Sequence, residues 1–158
     1  MIKSTLRSKI LNYRKNNSSE KYRINPQKLF SFLKKKKLNF KIIGGYYPYN
    51  YEIDDLEILE FFRKKKFHIS LPIIKNNHQM DFFVWSQYDP LKVNKYGIVE
   101  PISFKKVYPD LIIVPLVAYD NHLNRLGYGG GFYDRYIDKI KKIKEVTKIG
   151  IAFSFQRL

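Results

Sequence analysis

The chain contains no cysteine in its 158 residues, so it can form neither a disulfide bond nor a thiolate metal site. That composition suits a reducing compartment, and we expect a cytoplasmic protein. Uninterrupted apolar runs of about 18 residues, which a membrane-spanning helix needs, are also missing. The first residues lack the apolar stretch of a secretory signal peptide. The sequence therefore predicts a soluble protein with no membrane partner.

Acidic residues are scarce, with 14 Asp and Glu against 30 Lys and Arg, for a net charge of +16. Clustered cations are what phosphate contacts require, so one interpretation is a nucleic-acid-binding protein. The other interpretation is compositional drift. The chain is rich in Lys, Asn, Ile, Tyr and Phe, which is the composition that A+T-biased coding produces. The lysine runs 34–37 and 64–66 follow apolar helical stretches and resemble solvated helix ends. We favour drift and treat nucleic acid as an unlikely partner.

Hydrophobic residues make up 44% of the chain and aromatic residues 16%. This is enough to form one hydrophobic core. Helical and strand-like patterns alternate, which predicts a single α/β domain over residues 1–158 with a central, largely parallel sheet flanked by helices. We expect helices over 2–16, 26–37, 54–66 and 130–142. Strands are expected over 40–47, 67–71, 80–85, 111–118 and 148–153. Pro115 removes a ladder donor inside the most apolar strand, so we expect a bulge or an unpaired position there.

A glycine-rich loop, Arg125-Leu-Gly-Tyr-Gly-Gly-Gly-Phe-Tyr-Asp134, joins that strand to the last helix. Four glycines within five residues let backbone N–H groups approach an anion, and the following helix adds its positive end. Arg125 supplies a charged fork for phosphate oxygens, and Asp134 is placed to hold Mg²⁺ against them. The loop matches neither the Walker A nor the Rossmann glycine spacing. The alternative is a flexible turn, which the flanking charges make less favourable.

The first helix carries Lys3, Arg7 and Arg14 within about 40° of one another on its surface. Beside them runs an apolar stripe that includes Leu6 and Ile10. The functional interpretation is a second clamp on a polyphosphate. The alternative is an ordinary amphipathic helix with solvated cations, and taken alone the stripe favours that alternative.

Aromatic and acidic residues follow the strand predicted over 40–47. Tyr47 could stack on a flat heterocycle, and Glu52 could accept hydrogen bonds from its amino group and ring N–H. Met80, Phe82 and Trp85 could extend the apolar wall of such a pocket. The alternative, a strand end followed by a helix that begins with acidic residues, explains the same pattern equally well.

Taken together, these motifs resemble the 5-formyltetrahydrofolate cyclo-ligase family, also called 5,10-methenyltetrahydrofolate synthetase. The similarity covers nearly the whole chain in order, and the glycine-rich loop is its most specific part. The matching motifs are Lys3-x-x-Leu6-Arg7, Tyr46-Tyr-Pro48 with Glu52-Ile-Asp54, Met80-x-Phe82-x-x-Trp85, Gly97-Ile-Val-Glu-Pro101, Pro115-Leu-Val-Ala-Tyr-Asp120, the loop through Arg135, and Ile149-Gly-Ile-Ala-Phe153 with Gln156.

The resemblance implies a fold of the ribose-phosphate isomerase and CoA transferase type. It implies a ligase of one-carbon metabolism that converts 5-formyltetrahydrofolate to 5,10-methenyltetrahydrofolate with ATP and Mg²⁺, releasing ADP and phosphate. By similarity Tyr47 and Glu52 bind the folate, Asp134 holds the metal, and Arg7 and Arg125 are the catalytic residues. ATP would be bound by Lys3, Ser4, Thr5, Leu6, Arg7, Arg125, Leu126, Gly127, Tyr128, Gly129, Gly130, Gly131, Phe132 and Tyr133. We expect a monomer.

The resemblance also implies a C-terminal segment of about 30 further residues, with a strand and an acidic residue near the metal. The sequence ends at Leu158, so we expect that segment to be missing. An alternative is therefore a truncated relic that binds nucleotide without turnover. Loss of the segment is expected to expose a strand edge.

Overall fold

A computed structural model describes residues 2–17 and 23–158. The helices are α1 (Lys3–Asn17), α2 (Pro26–Lys35), α3 (Leu56–Lys64) and α4 (Phe132–Ile140), and a short 3₁₀ helix spans Ser154–Gln156. The strands are β1 (Ile42–Gly44), β2 (His68–Ile74), β3 (Met80–Val84), β4 (Leu91–Val93), β5 (Val99–Pro101), β6 (Lys106–Val107), β7 (Leu111–Val114), β8 (Ala118–Tyr119), β9 (Arg125–Leu126) and β10 (Thr147–Gly150).

The central sheet has the strand order β10-β7-β1-β2-β3-β6. The pairings of β10 with β7, β7 with β1 and β1 with β2 are parallel, whereas β3 and β6 continue the sheet antiparallel. Two antiparallel hairpins, β4–β5 and β8–β9, lie outside it. The predicted α/β architecture with a largely parallel sheet is confirmed. Because β10 pairs only with β7 among the described strands, it forms one edge of the sheet.

Helices cover both faces of the sheet, which explains why β7 is apolar at every position. Leu111 and Ile113 point into a core that contains side chains of α2 and α3. Ile112 and Val114 point the other way, into a cluster with side chains of α4. A strand buried on both faces reads as a continuous apolar run, as here. The α3 prediction is confirmed, with Phe62 fully buried in the first core.

Several predicted strands end earlier than expected, among them the one over 148–153, which ends at Gly150, and for two of them the reason is identifiable. The strand expected over 111–118 ends at Val114, because Pro115 has no N–H to continue the ladder. The strand expected over 40–47 ends at Gly44, since the N–H of Tyr46 donates to the Asp55 carboxylate at 3.0 Å instead of to a neighbouring strand. At both positions the chain leaves the sheet at the carboxyl edge of the parallel strands.

The helix boundaries follow local capping. The side chain of Asn25 accepts the N–H of Lys28 at 3.0 Å, and Pro26 occupies the first turn of α2, as the sequence predicts. Helix α1 packs Ile10 against Val117, Ala118 and Leu126 of the β8–β9 region. That contact brings the first helix beside the glycine-rich loop. Of the described helices, none is long and apolar enough to cross a bilayer.

Candidate active site

A cavity of about 500 Å³ opens at the carboxyl edge of the parallel strands, where ligand crevices of α/β sheets form. The segments after β1 and β7 supply part of its wall, the glycine-rich loop closes one side, and the β4–β5 hairpin closes another. Its lining consists of Lys3, Arg7, Tyr46, Tyr47, Tyr49, Glu52, Pro72, Ile74, Met80, Asn94, Tyr96, Ile98, Val99, Glu100, Pro115 and residues 125–134. The cavity therefore brings together the glycine-rich loop and the segment that contains Tyr47 and Glu52.

The glycine-rich loop presents unused backbone donors to this cavity. Gly129 and Gly131 have φ angles of +102° and +68°, a region that side-chain-bearing residues rarely adopt. The N–H groups of Gly129, Gly130 and Gly131 donate to no acceptor within the described residues. Helix α4 begins immediately afterwards at Phe132. Free N–H groups at a helix N-terminus favour an anion.

Arg125 lies at the start of the loop with its guanidinium held in place. One nitrogen, Nη1, donates to the carbonyl of Pro115 at 3.3 Å, and Nη2 contacts Oδ1 of Asp134 at 2.5 Å. The guanidinium also lies 5.7 Å from the ring centre of Tyr133. These contacts orient a positive charge next to the unpaired N–H groups.

From helix α1, Arg7 reaches the same loop, because its Nε donates to the carbonyl of Gly127 at 2.7 Å. Lys3, one turn earlier, also lines the cavity. The other predicted ATP-binding residues of this helix are placed differently. Ser4 and Thr5 are exposed and do not line the cavity, whereas Leu6 packs in the α1 contact with the β8–β9 region.

Arg14 differs from the expectation that it extends a phosphate clamp. Its side chain is 1% exposed and donates to the carbonyl of Leu116 at 3.2 Å and to the hydroxyl of Tyr128. A guanidinium buried this deeply does not reach a phosphate in the cavity. Helical spacing places it correctly beside Arg7, but Leu116 and Tyr128 contact it in a buried position.

Glu52 lines the same cavity as Arg125. Its carboxylate accepts the N–H of Tyr49 at 2.8 Å. Burial raises the pKa of Glu52 to about 7, while the Tyr49 N–H, the nearby Tyr128 side chain and the charge of Arg14 oppose the rise. Near neutral pH this carboxyl group can therefore exist in both states.

The Tyr46–Tyr47 segment is held by a buried acidic residue that the sequence did not single out. Asp55 is 0% exposed, and its carboxylate accepts the N–H of Tyr46. Burial is the main cause that raises the pKa of Asp55 well above its ordinary value. The hydroxyl of Tyr46 donates to the carbonyl of Ile53 at 2.7 Å. This bracing leaves Tyr47 on the cavity wall.

The β4–β5 hairpin is a wall that our sequence analysis missed. Glu100, 3% exposed, accepts the N–H of Ile74 at 3.1 Å and the side-chain amide of Asn94 at 3.0 Å, which fixes the hairpin on β2. At the hairpin turn, the ring of Tyr96 lies 5.8 Å from that of Phe132 in the glycine-rich loop. The Asn-x-x-Gly turn at 94–97 is the signal that could have revealed it.

Of the apolar wall expected from the third motif, only Met80 lines this cavity. Phe82 is fully buried against α4, where its ring lies 5.0 Å from that of Tyr136. Trp85 is turned to a second groove beside α3, of about 810 Å³, which also touches Tyr47. Met80 and Phe82 share one face of β3, whereas Trp85, just beyond the strand, packs in the core on the other face.

The residues present suit a metal ion that is held by one protein carboxylate together with ligand oxygens and water. They do not suit an ion that is held by protein side chains alone. No group of three His, Cys, Asp or Glu side chains converges within residues 2–17 and 23–158. Asp134 is largely exposed, and its contact is the ion pair with Arg125. Mg²⁺ commonly takes one or two carboxylates, with phosphate oxygens and water as its remaining ligands. Asp134 fits that pattern.

The open, mostly parallel sheet and the glycine-rich loop at its carboxyl edge define an α/β protein with a ligand cavity at that edge. Similarity to known proteins then identifies the family. The chain belongs to the 5-formyltetrahydrofolate cyclo-ligase family, whose model matches residues 1–158.

Individual relatives agree with this family. A 5-formyltetrahydrofolate cyclo-ligase of Haemophilus influenzae is 31% identical over 125 residues, which cover 75% of this chain and 66% of that protein. A probable cyclo-ligase of Schizosaccharomyces pombe is 40% identical over 79 residues, covering 46% of this chain and 39% of that protein. In both cases the match spans less than two thirds of the relative. The Mycoplasma pneumoniae cyclo-ligase is 30% identical over 162 residues, covering 99% of this chain and 88% of that protein.

Solved structures show the same fold. The 5,10-methenyltetrahydrofolate synthetase of Aquifex aeolicus superimposes with a TM-score of 0.74 at 33% identity, covering 99% of this chain and 80% of that one. The corresponding Mycoplasma pneumoniae enzyme gives a TM-score of 0.71 at 27% identity, covering 100% and 89%.

Proposed function

We propose that the chain converts 5-formyltetrahydrofolate to 5,10-methenyltetrahydrofolate with ATP and Mg²⁺, releasing ADP and phosphate. The observation that carries the proposal is the juxtaposition of three unpaired loop N–H groups with Arg7 and Arg125 in one cavity. That juxtaposition is suited to a polyphosphate. Family membership supports the reaction, and the names of the relatives match it.

The ATP end of the cavity is formed by the loop and helix α1. The N–H groups of Gly129, Gly130 and Gly131 would donate to phosphate oxygens, with Arg125 and Lys3 adding positive charge. Asp134 would hold Mg²⁺ against the same phosphates, where the ion neutralises charge during transfer. Leu126 and Phe132 also line the cavity and supply apolar contact.

The folate end is formed by the opposite wall. Tyr47 would stack on the flat pterin ring, and Glu52 would accept hydrogen bonds from its amino group and ring N–H. A carboxylate accepts both bonds only when it is ionised. Tyr96 and Ile98 of the hairpin contribute further apolar wall.

The arrangement can perform the reaction by positioning and charge neutralisation. The formyl oxygen attacks the γ-phosphorus, the bond from that phosphorus to the β,γ-bridging oxygen breaks, and ADP leaves. N10 then attacks the activated formyl carbon, and N10 loses its proton as the carbon–oxygen bond breaks and phosphate departs. No protein nucleophile is required. Arg7 and Arg125 would stabilise the charge that moves during these steps.

The test is to supply 5-formyltetrahydrofolate, ATP and Mg²⁺ and to follow the absorbance of the methenyl product. We expect product formation that depends on ATP and is lost in Arg125→Ala. ATP binding by calorimetry on the same preparation separates the alternatives. Binding without turnover would establish the nucleotide-binding relic, whereas a folded protein that neither binds ATP nor turns over would refute the proposal.

A further inference from the structure

Asp81 in β3 is contacted by three ammonium groups that the proposed reaction does not use. Lys139 of α4 donates to its Oδ1 at 2.8 Å, while Lys75 and Lys106 lie 2.8 and 3.0 Å from its Oδ2. Lys75 follows β2 and Lys106 begins β6, so three separate elements supply the lysines. None of the four residues lines the cavity of the candidate active site. We call these four residues the Asp81 cluster.

The charges of the Asp81 cluster do not balance. Three ammonium groups face one carboxylate, and among the described residues these lysines form no ion pair with another carboxylate. The Asp81 side chain is 5% exposed, whereas those of Lys75, Lys106 and Lys139 are 46%, 33% and 44% exposed. An ammonium group has three N–H donors, so each lysine keeps donors for a further acceptor. An anion that arrives from solvent therefore meets free donors and two uncompensated positive charges.

The ammonium groups are already close together before any ligand arrives. Lys75 and Lys106 contact the same oxygen of Asp81, so one oxyanion can touch both. The ammonium of Lys75 lies 5.6 Å from the ring centre of Phe83, and that of Lys106 lies 5.3 Å from the ring centre of Tyr108. These contacts restrict the lysine side chains, which lowers the entropy that binding an anion would cost.

The backbone that carries Lys75 is fixed to the helix that carries Lys139. The N–H of Lys75 donates to the carbonyl of Gln79 at 2.7 Å, which closes the hairpin between β2 and β3. Arg135 of α4 donates to the carbonyl of His78 in that hairpin turn through Nε and Nη2, at 3.0 and 2.8 Å. The relative positions of these two lysines are therefore set by backbone contacts as well as by Asp81.

We propose that the Asp81 cluster binds a phosphate-type dianion at a site outside the cavity of the proposed reaction. Two uncompensated positive charges match the two negative charges of hydrogen phosphate or of a phosphate monoester. The three ammonium groups can donate to separate oxygens of such a group. A phosphodiester carries one negative charge and matches the cluster less well. The inference does not depend on the proposed reaction, because anion binding is measured without turnover.

The experiment titrates the protein with inorganic phosphate near pH 8, where phosphate is mostly a dianion. The Cε–H resonances of ¹³C-labelled lysine report binding at each ammonium group. We expect the signals of Lys75, Lys106 and Lys139 to shift together with a single Kd. The same shifts should appear in Arg125→Ala, because Arg125 belongs to the cavity and not to the cluster. Loss of the shifts in that variant would overturn the proposal, since it would place the phosphate in the cavity.

A double variant tests the charge match. Lys75→Gln with Lys106→Gln leaves Asp81 paired with Lys139, so the protein should fold, and phosphate should bind about tenfold more weakly. The matched control is Lys141→Gln with Lys142→Gln, which removes the same charge from exposed positions just after α4. The control should keep the wild-type Kd. Equal weakening in both double variants would overturn the proposal, because phosphate would then respond only to the overall charge of the chain.

Two further ligands identify the chemistry that the cluster recognises. Dimethyl phosphate, a monoanion, should bind about tenfold more weakly than inorganic phosphate, and equal affinities would reject the match to a dianion. Glycerol phosphate, a monoester dianion, separates the two sources of the ligand. Binding as tight as that of inorganic phosphate would support a site that accepts monoesters, and weaker binding would support a site for the free ion.

Discussion

Arg125 and Asp134 form an ion pair across the base of the glycine-rich loop, with Nη2 and Oδ1 2.5 Å apart. Under the proposed function each partner has a different task, since the guanidinium would bind phosphate and the carboxylate would bind Mg²⁺. Nucleotide binding would then replace one ion pair by two ionic contacts. The pair keeps both groups oriented before the ligand arrives, and it lets the contribution of each residue be measured separately.

Removing the guanidinium should weaken ATP binding. For Arg125→Ala we expect the Kd for ATP to rise about 10- to 100-fold, because a hydrogen bond to a charged group contributes about 1.5–3 kcal/mol. Calorimetry with ATP and Mg²⁺ gives the value. Arg63→Ala is the control, since Arg63 pairs with Glu60 on α3 outside the cavity. An Arg125→Ala affinity equal to that of the control would show that the loop does not use this residue.

Neutralising the carboxylate tests its predicted metal role. In Asp134→Asn we expect the Mg²⁺ concentration needed for half-maximal activity to rise about tenfold, because Mg²⁺ would lose its proposed protein ligand. The exposed Asp138→Asn on the same helix serves as the control. If Asp134 serves only to orient Arg125, the Mg²⁺ midpoint will stay constant while the Kd for ATP changes.

The backbone shape of the loop can be tested separately from its charge. Gly129→Ala forces a side chain onto a φ of +102° and places its Cβ 3.4 Å from Cζ of Arg7. Gly97→Ala introduces a similar strain at a φ of +75° with no atom within 4 Å of the new carbon. Each should lose about 1–2 kcal/mol of unfolding free energy in urea. Only Gly129→Ala should also lose ATP affinity, and equal affinities would refute the donor role of the loop.

Stability should depend on a cluster away from the cavity, in which Asp81 bonds Lys75, Lys106 and Lys139 at 2.8, 3.0 and 2.8 Å. Burial acts to raise the pKa of Asp81, but the three ammonium groups outweigh it and lower the pKa to about 2. A depressed pKa gives stability that is present above about pH 4 and is lost as the pH falls through about 2. Asp81→Asn should therefore cost about 2 kcal/mol at pH 7.

Urea unfolding over a pH series measures this effect. The difference between Asp81→Asn and the wild type should shrink below pH 4 and vanish near pH 2. Asp138→Asn again serves as the control, with no pH-dependent difference of that kind. A deficit in Asp81→Asn that is the same at pH 7 and pH 2 would mean that the side chain acts by packing instead of by charge.

Much of the architecture could be read from local sequence. The alternation of periodic segments predicts the sheet and its helices, and Asn25 with Pro26 marks the start of α2. For Pro115 we expected a bulge or an unpaired position within a strand over 111–118, but the strand ends at Val114. The glycine-rich loop precedes α4 as predicted, because loop chemistry and the next helix are encoded in adjacent residues, but the β8–β9 hairpin separates the loop from β7.

What sequence reasoning missed depends on contacts between distant segments. Arg14 shares a helix face with Arg7, but its burial comes from Leu116 and Tyr128, more than 100 residues away. The hairpin that contains Glu100 consists of strands of three residues, too short for a periodic signal.

Trp85 is the only tryptophan in the sequence, and its side chain is 6% exposed beside Tyr47. Excitation at the red edge of indole absorption therefore reports from a single known position. Its Nε1–H is buried without a partner within the described chain, so we expect the emission to respond when a ligand in the groove changes the surroundings of the indole. The protein thus carries its own optical probe in that groove, which shares Tyr47 with the cavity. Fluorescence titration can follow occupancy there without any attached label.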